Sequence, residues 1–184
     1  MFVLGVIFGV ISGLILLLVG QAFLRPKTFR YERRIQVAAP PAAVFAHVQN
    51  FQAWQAWSPW EGLDPTMTRV YSGPAEGVGA VYEWDGNKKV GAGRMEVKSV
   101  TAPNAVNVQL TFLRPFPANN IADFTIVGNA TGCEVVWAMH GPNLFMSRVM
   151  SAFINFDKMI GADFEKGLMR LRQVVEHASV PAVS

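Results

Sequence analysis

The stretch that decides the fold is MSAFINFDKMIGADFEKGLMRLRQVV, residues 150–175. Its apolar side chains recur at steps of three and four residues, the spacing that places them on one face of an α-helix. These residues are Met150, Phe153, Phe156, Ile160, Phe164, Leu168, Leu171 and Val175. Charged residues occupy the opposite face, so the pattern predicts one long amphipathic helix of roughly seven turns near the end of the chain.

Upstream of this helix, from residue 66 to residue 141, apolar and polar residues alternate with a period of two. Alternation of this kind is typical of half-buried strands, and glycine-containing segments such as DGN at residues 85–87 predict the turns between them. FRYERRIQV, residues 29–37, alternates in the same way. Two short helices are expected between this first strand and the others, and Pro59 must end any helix in the second.

Strands followed by a helix indicate an α+β domain, in which the helix packs on one face of a curved antiparallel sheet. The predicted order is one strand, two short helices, about six further strands and the long helix. Strong curvature would leave an apolar hollow between the sheet and the helix. Within the helix, Gly161 and Gly167 lower helix stability relative to alanine, so each is expected to allow close approach or to leave cavity space.

The first 24 residues contain no charged side chain. At 1.5 Å per residue, about 20 such residues cross a hydrocarbon core of roughly 30 Å, so residues 1–24 are predicted to form a transmembrane helix. A cleaved signal peptide is the alternative. It would require a basic segment before the apolar run and a shorter run, and this sequence has neither.

A basic segment, residues 25–34, follows the predicted membrane helix and runs into the first strand. It carries a net charge of +4, and the rest of the chain sums to −1. Positive charge on this flank predicts a single-pass protein whose domain lies on the cytoplasmic side. Arg25, Lys27 and Arg30 are candidates for contact with anionic lipid head groups, although they would serve equally as a topology signal alone. Because the basic charge is confined to this segment, the sequence argues against a nucleic-acid-binding face on the domain.

The sequence offers few residues for catalysis. His47, His140 and His177 show no metal-ligand spacing, so neither a metal site nor a cofactor is predicted. Cys133 alternates with apolar residues in a strand and is expected to be a buried, inert thiol. Glu83, Asp85 and Asp123 fall out of phase with their aromatic neighbours, and they are expected on the solvated face of the sheet.

Several segments carry a resemblance to a known family: IQVAAPPAAVFAHVQNFQAWQAWSPW (35–60), DPTMTRVYSGPAEGVGAVYEWDGNKKVGAGRMEV (64–97), VVWAMHG (135–141) and DKMIGADFEKGLMRL (157–171). The chain resembles the START-like, or SRPBCC, superfamily, in the bacterial branch labelled polyketide cyclase/dehydrase and lipid transport. Some members of that branch carry an N-terminal membrane helix. The resemblance covers residues 29–176 and implies the helix-grip architecture. The sequence HASVPAVS that follows, residues 177–184, predicts a flexible tail after the amphipathic helix.

In that architecture, an internal cavity would be lined by the inward-facing apolar and aromatic residues. The candidates are Trp54, Trp57, Tyr82, Trp84, Met95, Val97, Leu110, Phe112, Phe124, Trp137, Met139, Phe153, Phe156 and Ile160. Each would equally suit a packed core, and Trp54 and Trp57 are expected either in the core or at the rim of the cavity.

Three functions are compatible with the sequence. The leading hypothesis is a membrane-anchored START-like domain that binds a hydrophobic small molecule or lipid and catalyses no reaction. An alternative is a cyclase or dehydratase acting on a bound aromatic or polyketide substrate, which would need an interior proton-transfer group. A third is a protein-interaction scaffold without a ligand. The sequence leaves the oligomeric state open.

Overall fold

The structure is a computed structural model, and it describes residues 2–178. The strands are β1 (Thr28–Val37), β2 (Thr68–Ser72), β3 (Val81–Asp85), β4 (Ala92–Thr101), β5 (Ala105–Arg114), β6 (Ala118–Asn129) and β7 (Gly132–Pro142). The helices are α1 (Phe2–Leu24), α2 (Pro41–Val48), α3 (Phe145–Met150) and α4 (Phe156–Ala178), with a 3₁₀ turn at Ala53–Ala56.

The seven strands form one antiparallel sheet in the order β1-β7-β6-β5-β4-β3-β2, so the first strand pairs with the last. One face of the sheet, the inner face, packs against α4, α2 and the 3₁₀ turn, and the core lies between these layers. The α+β class and the helix-grip arrangement predicted from the sequence are confirmed. The alternation of side chains places Tyr82 inward and leaves Glu83 and Asp85 exposed, as expected.

The long C-terminal helix is shorter than predicted, because two helices share the periodic segment. Residues 145–150 form α3, and α4 begins only at Phe156. The side chain of Asn155 accepts a hydrogen bond from the backbone N–H of Lys158 at 2.9 Å, which is the arrangement of a helix N-cap. Phe153 lies between the helices with 75% of its surface exposed. The prediction that Phe153 continues the inward-facing stripe was therefore wrong.

Arg33 fastens α4 to β1. Its guanidinium donates to the carboxylates of Asp157 and Glu165 over 2.8 to 3.1 Å, and also to the backbone oxygen of Asp157 at 3.0 Å. A Cβ atom at Gly161 would collide with this guanidinium, and one at Gly167 would lie 2.8 Å from the Trp137 ring. Both helix glycines therefore allow close approach, which was one of the two roles expected for them.

The N-terminal helix α1 contains the window Ile7–Leu24, whose mean hydropathy of 2.4 makes it long and apolar enough to cross a membrane. The C-terminal end of α1 packs against α3, where the rings of Phe23 and Phe145 are 5.5 Å apart. Arg148 of α3 donates to the backbone oxygen of Ala22 at 3.1 Å. Because the last carbonyl groups of a helix lack partners within the helix, this arginine completes the end of α1.

The predicted flexible tail begins inside the last turn of α4, since His177 and Ala178 are helical. Its remaining part, residues 179–184, lies outside the described residues.

Candidate functional site

The centre of the interior is filled by aromatic rings. Trp54, Trp57, Phe124, Trp137 and Phe164, which we call the aromatic cluster, are each at most 3% exposed. Trp137 and Phe164 stack with their centroids 4.3 Å apart, and the centroids of Trp54 and Trp57 are 4.6 Å apart. The cavity expected at the centre is therefore occupied by the protein's own side chains, and Trp54 and Trp57 are core residues.

Local structure explains how the tryptophan segment reaches the core. The 3₁₀ turn points Trp54 inward, and its indole N–H donates to the backbone oxygen of Val48 at 2.9 Å. The indole N–H groups of Trp57 and Trp137 are buried without a hydrogen-bond partner within residues 2–178. Trp60, which follows Pro59, is half-buried and packs edge-on against Trp137 at 5.6 Å. The cluster is thus held by packing more than by polar contacts.

The remaining predicted lining residues fall into two groups. Tyr82, Met95, Val97 and Met139 are buried beside the aromatic cluster. The half-buried ones are Trp84, Leu110 and Phe112, which lie nearer the end of the sheet where β1 begins and β7 ends, and Phe156 and Ile160 in the first turns of α4. We call this set the open end. It is the part of the predicted lining that remains partly accessible.

Trp84 and Phe112 contact each other across an intervening strand. Gly93 of β4 pairs with Trp84 on one side and with Phe112 on the other, and a Cβ atom at this position would overlap the indole ring. The glycine thus lets the indole lie across β4, with the Trp84 and Phe112 centroids 6.0 Å apart. The two rings therefore form a continuous aromatic surface at the open end.

Asn120 is a polar residue on the inner face that sequence reasoning missed. It lies in phase with Ala122 and Phe124, pairs with Leu110 across the strands, and is 6% exposed. Its Oδ1 atom is buried with no hydrogen-bond partner in the described part of the chain, and Gly141 leaves the space that this amide occupies. A buried acceptor without a partner costs free energy, so Oδ1 of Asn120 is a candidate to accept a hydrogen bond from a donor group of a ligand.

A second polar feature of the inner face is the hydrogen-bonded network formed by Glu61, Arg69 and Tyr82, which we call the Glu61 network. Glu61 accepts from the Tyr82 hydroxyl at 2.6 Å and from Nε of Arg69 at 2.7 Å. Burial, followed by the hydrogen bond to Glu61, raises the pKa of the Tyr82 phenol far above its usual range. The network joins the loop after Trp60 to β2 and β3. No local sequence pattern indicates it, because its members are separated in the chain.

The residues considered for chemistry from the sequence do not converge. His140 and Asp123 pair at 2.8 Å on the outer face of the sheet, and His177 contacts the backbone of its own helix. Cys133 is buried, and burial raises the pKa of its thiol. Within residues 2–178, no three His, Cys, Asp or Glu side chains are grouped as metal ligands would be.

Surface pockets lie away from the predicted lining. One of about 510 Å³ is bounded by the end of β1 and the β6–β7 turn. Another of about 220 Å³ lies between Phe51 and the segment after β2. Neither contains a residue of the open end, so these pockets do not extend the candidate site.

Asp64 connects the loop after Trp60 to the turn between β3 and β4. Its carboxylate accepts from the Thr66 hydroxyl at 2.8 Å and from the backbone N–H of Asn87 at 2.7 Å. The hydrogen bond from Thr66, and then that from Asn87, lowers the pKa of Asp64. Since the folded pKa lies below the unfolded one, the carboxylate stabilises the fold at neutral pH, and this contribution is lost as the pH falls through the folded value.

We therefore expect Asp64→Asn to destabilise the chain at pH 7 and to have little effect at the lowest pH at which the protein stays folded. The loss should begin to shrink near pH 4, since an unfolded aspartate titrates at about 3.9. Urea unfolding of both proteins between pH 3 and pH 7 measures the difference. Glu76→Gln, which changes an exposed carboxylate, is the control. A constant difference between wild type and Asp64→Asn across this range would contradict the assignment.

Comparison with solved structures shows the same fold in proteins of low sequence identity. A protein of unknown function from Staphylococcus aureus is 10% identical with a TM-score of 0.63, over 85% of this chain and 98% of that one. A protein from Thermobifida fusca is 22% identical with a TM-score of 0.57, over 82% and 95%. A protein of the dynemicin biosynthetic locus is 17% identical with a TM-score of 0.56, over 81% and 48%.

Family membership rests on the sequence itself. No curated protein matches the chain significantly. The sequence profile of one family, described as polyketide cyclase / dehydrase and lipid transport, matches residues 28–176, which include all seven strands and nearly all of α4. The chain therefore belongs to the polyketide cyclase / dehydrase and lipid transport family.

Proposed function

We propose that this protein is a membrane-anchored domain that binds a hydrophobic small molecule or lipid without transforming it. The observation that carries the proposal is the open end, where apolar and aromatic side chains of the inner face stay half-buried above a filled core. Ligand sites of this kind are mostly apolar with few polar groups, and Asn120 is a buried acceptor on the same inner face. The ligand would lie at the open end and not in a closed cavity at the centre.

Membrane anchoring by α1 is supported by its length and apolar composition. Arg25 and Lys27 are exposed directly after it, and Arg30 is exposed on the outer face of β1. We propose that these cations contact anionic head groups and hold the domain on the cytoplasmic side. Anchoring would keep the open end near the bilayer, into which hydrophobic ligands partition.

A cyclase or dehydratase function would need a proton-transfer group on the inner face. Tyr82 is a buried titratable residue there, but its hydroxyl already donates to Glu61 and its raised pKa makes it a weaker acid. Burial and the hydrogen bond therefore act against the role that the enzyme hypothesis requires.

Native mass spectrometry of the full chain released from lipid nanodiscs tests the proposed function. The wild-type protein is expected to carry an apolar adduct that organic solvent extracts. Ala118→Trp should reduce that adduct at least fivefold, because Ala118 pairs with Phe112 and an indole there would fill the open end. Ala118 is half-buried, so the larger side chain is expected to leave the fold intact.

The matched control is Ala130→Trp, which adds the same side chain at an exposed position in the turn between β6 and β7. It should retain the full amount of adduct. A wild-type chain without an adduct, or equal adducts in both variants, would count against ligand binding at the open end. Circular dichroism of each variant separates loss of ligand from loss of fold.

A further inference from the structure

We propose that the end of the sheet from which α1 departs is embedded in the surface of the bilayer, through α3 and the loop between β5 and β6. This inference rests on the proposed anchoring by α1 and adds a second, peripheral attachment. The partner is a lipid bilayer with anionic head groups.

The first argument is the length of the connection between α1 and the sheet. Helix α1 ends at Leu24 and β1 begins at Thr28. The three residues between them give four Cα–Cα steps, which span at most about 14 Å even when fully extended. The connection is also held down, because Asn143 donates from its backbone to the oxygen of Lys27 at 2.7 Å and from its side chain to that of Pro26 at 3.1 Å. This end of the sheet therefore lies against the membrane face that α1 leaves.

Strand register identifies the segments that share this end. Thr28 pairs with Pro142, so α3 follows directly from the strand beside β1. Phe112 pairs with Ala118, and β6 runs antiparallel to β7, so the β5–β6 loop leaves the sheet at the same end. Neighbouring strands are about 4.8 Å apart, which puts the two ends of this loop about 10 and 15 Å from β1. Both segments can reach one membrane surface.

The second argument is that large apolar side chains are exposed at this end. Among residues 25–178, the exposed phenylalanines are Phe116 in the β5–β6 loop, Phe145 in α3, and Phe153 in the short segment that follows α3. Phe116 and Phe153 are each 75% exposed, and Met146 of α3 is 63% exposed. Exposed apolar groups that cluster in this way mark an interaction surface, and phenylalanine is typical of segments that lie in the membrane interface.

The third argument is that positively charged residues lie near these exposed apolar side chains. Arg25 and Lys27 flank α1, and Lys88 and Lys89 are exposed in the turn between β3 and β4. That turn lies at the same end, since Asp85 pairs with Ala92 and Ala92 with Arg114. The acid Asp85 is itself paired with Arg114, which leaves the lysines to meet anionic head groups. Exposed apolar residues flanked by cations are more complementary to an anionic bilayer surface than to the apolar surface of a second protein.

Site-specific fluorescence on the full chain in liposomes containing anionic lipid tests the inference. Because Cys133 is 0% exposed, single cysteines introduced by Phe116→Cys, Met146→Cys and Phe153→Cys can be labelled selectively with NBD. We expect a blue-shifted emission at these positions, strong quenching by doxyl-labelled lipids and at least threefold weaker quenching by iodide than at the control. The control is Val127→Cys, 53% exposed at the opposite end of the sheet.

Three other outcomes would overturn the inference, and each indicates a different arrangement of the chain. Labels at positions 116 and 153 that behave like the control, in a chain that resists carbonate extraction, would leave α1 as the only attachment. Protection from iodide without quenching by doxyl lipids would indicate a protein contact in place of lipid. Release of the chain by carbonate would overturn both the anchor and the embedding. The adduct measured by mass spectrometry is independent of all three results.

Discussion

Replacing Trp57 with alanine is expected to lower the free energy of unfolding by about 3–5 kcal/mol, the usual range for a large buried aromatic residue. Trp57 is completely buried, and its ring contacts Trp54, Phe124 and Trp137 with centroid separations between 4.6 and 6.0 Å. Its removal would leave a cavity at the centre of the aromatic cluster. Urea denaturation of the full chain in mild micelles, followed by circular dichroism, measures the loss.

Two variants control this experiment. Trp57→Phe keeps an aromatic ring and removes an indole N–H that has no partner within residues 2–178, so it should cost less than half as much. Phe116→Ala removes an exposed ring and should leave the free energy of unfolding almost unchanged. If Trp57→Ala abolished ligand binding while keeping wild-type stability, Trp57 would be a ligand contact and not part of the core.

Glu61→Ala is expected to destabilise the fold by about 3 kcal/mol, because removing one partner of a largely buried ion pair leaves the other charge uncompensated. The Glu61 side chain is 10% exposed and that of Arg69 is 22% exposed. The substitution also deprives the Tyr82 hydroxyl of its acceptor. The same urea measurement at pH 7 gives the magnitude.

Glu83→Ala is the matched control. Glu83 follows Tyr82 in β3 and faces solvent, and its Oε1 lies 3.7 Å from Nε of Arg94. Exposed pairs of this kind contribute about 0–1 kcal/mol. Glu61→Gln should fall between the two, because it keeps the shape and one acceptor but loses the charge. Equal losses for Glu61→Ala and Glu83→Ala would show that burial of the network adds nothing to stability.

The period of the apolar residues was enough to predict the sheet, the packing helix and their order. The pattern failed where a local polar contact decides the structure. Met150 and Phe153 keep the helical spacing, yet Asn155 caps a new helix and separates them from α4. Similarly, Arg33 interrupts an otherwise apolar inner face of β1, and only the fold shows that Asp157 and Glu165 lie opposite it.

The candidate site was harder to predict, because inward orientation and accessibility are different properties. Period and resemblance indicate which side chains point inward, but the sequence does not give the volume that they fill. Trp137 and Phe112 both alternate inward, and yet one is buried in the aromatic cluster while the other remains half-buried at the open end. Asn120 carried a usable signal, since an amide in phase with Ala122 and Phe124 must lie on the inner face.

The pairing of β1 with β7 has a consequence for the order in which the protein is made. Tyr31 pairs with Met139, so the first strand leaves the ribosome on the order of 100 residues before its partner does. At a synthesis rate of about 5–20 residues per second, β1 waits for roughly 5 to 20 seconds. During that interval it is tethered by three residues to a helix of membrane-spanning length, with Arg30, Arg33 and Arg34 along it. Charged residues discourage pairing between exposed strand edges. The arginines of β1 would thus protect a nascent strand from pairing with that of another chain.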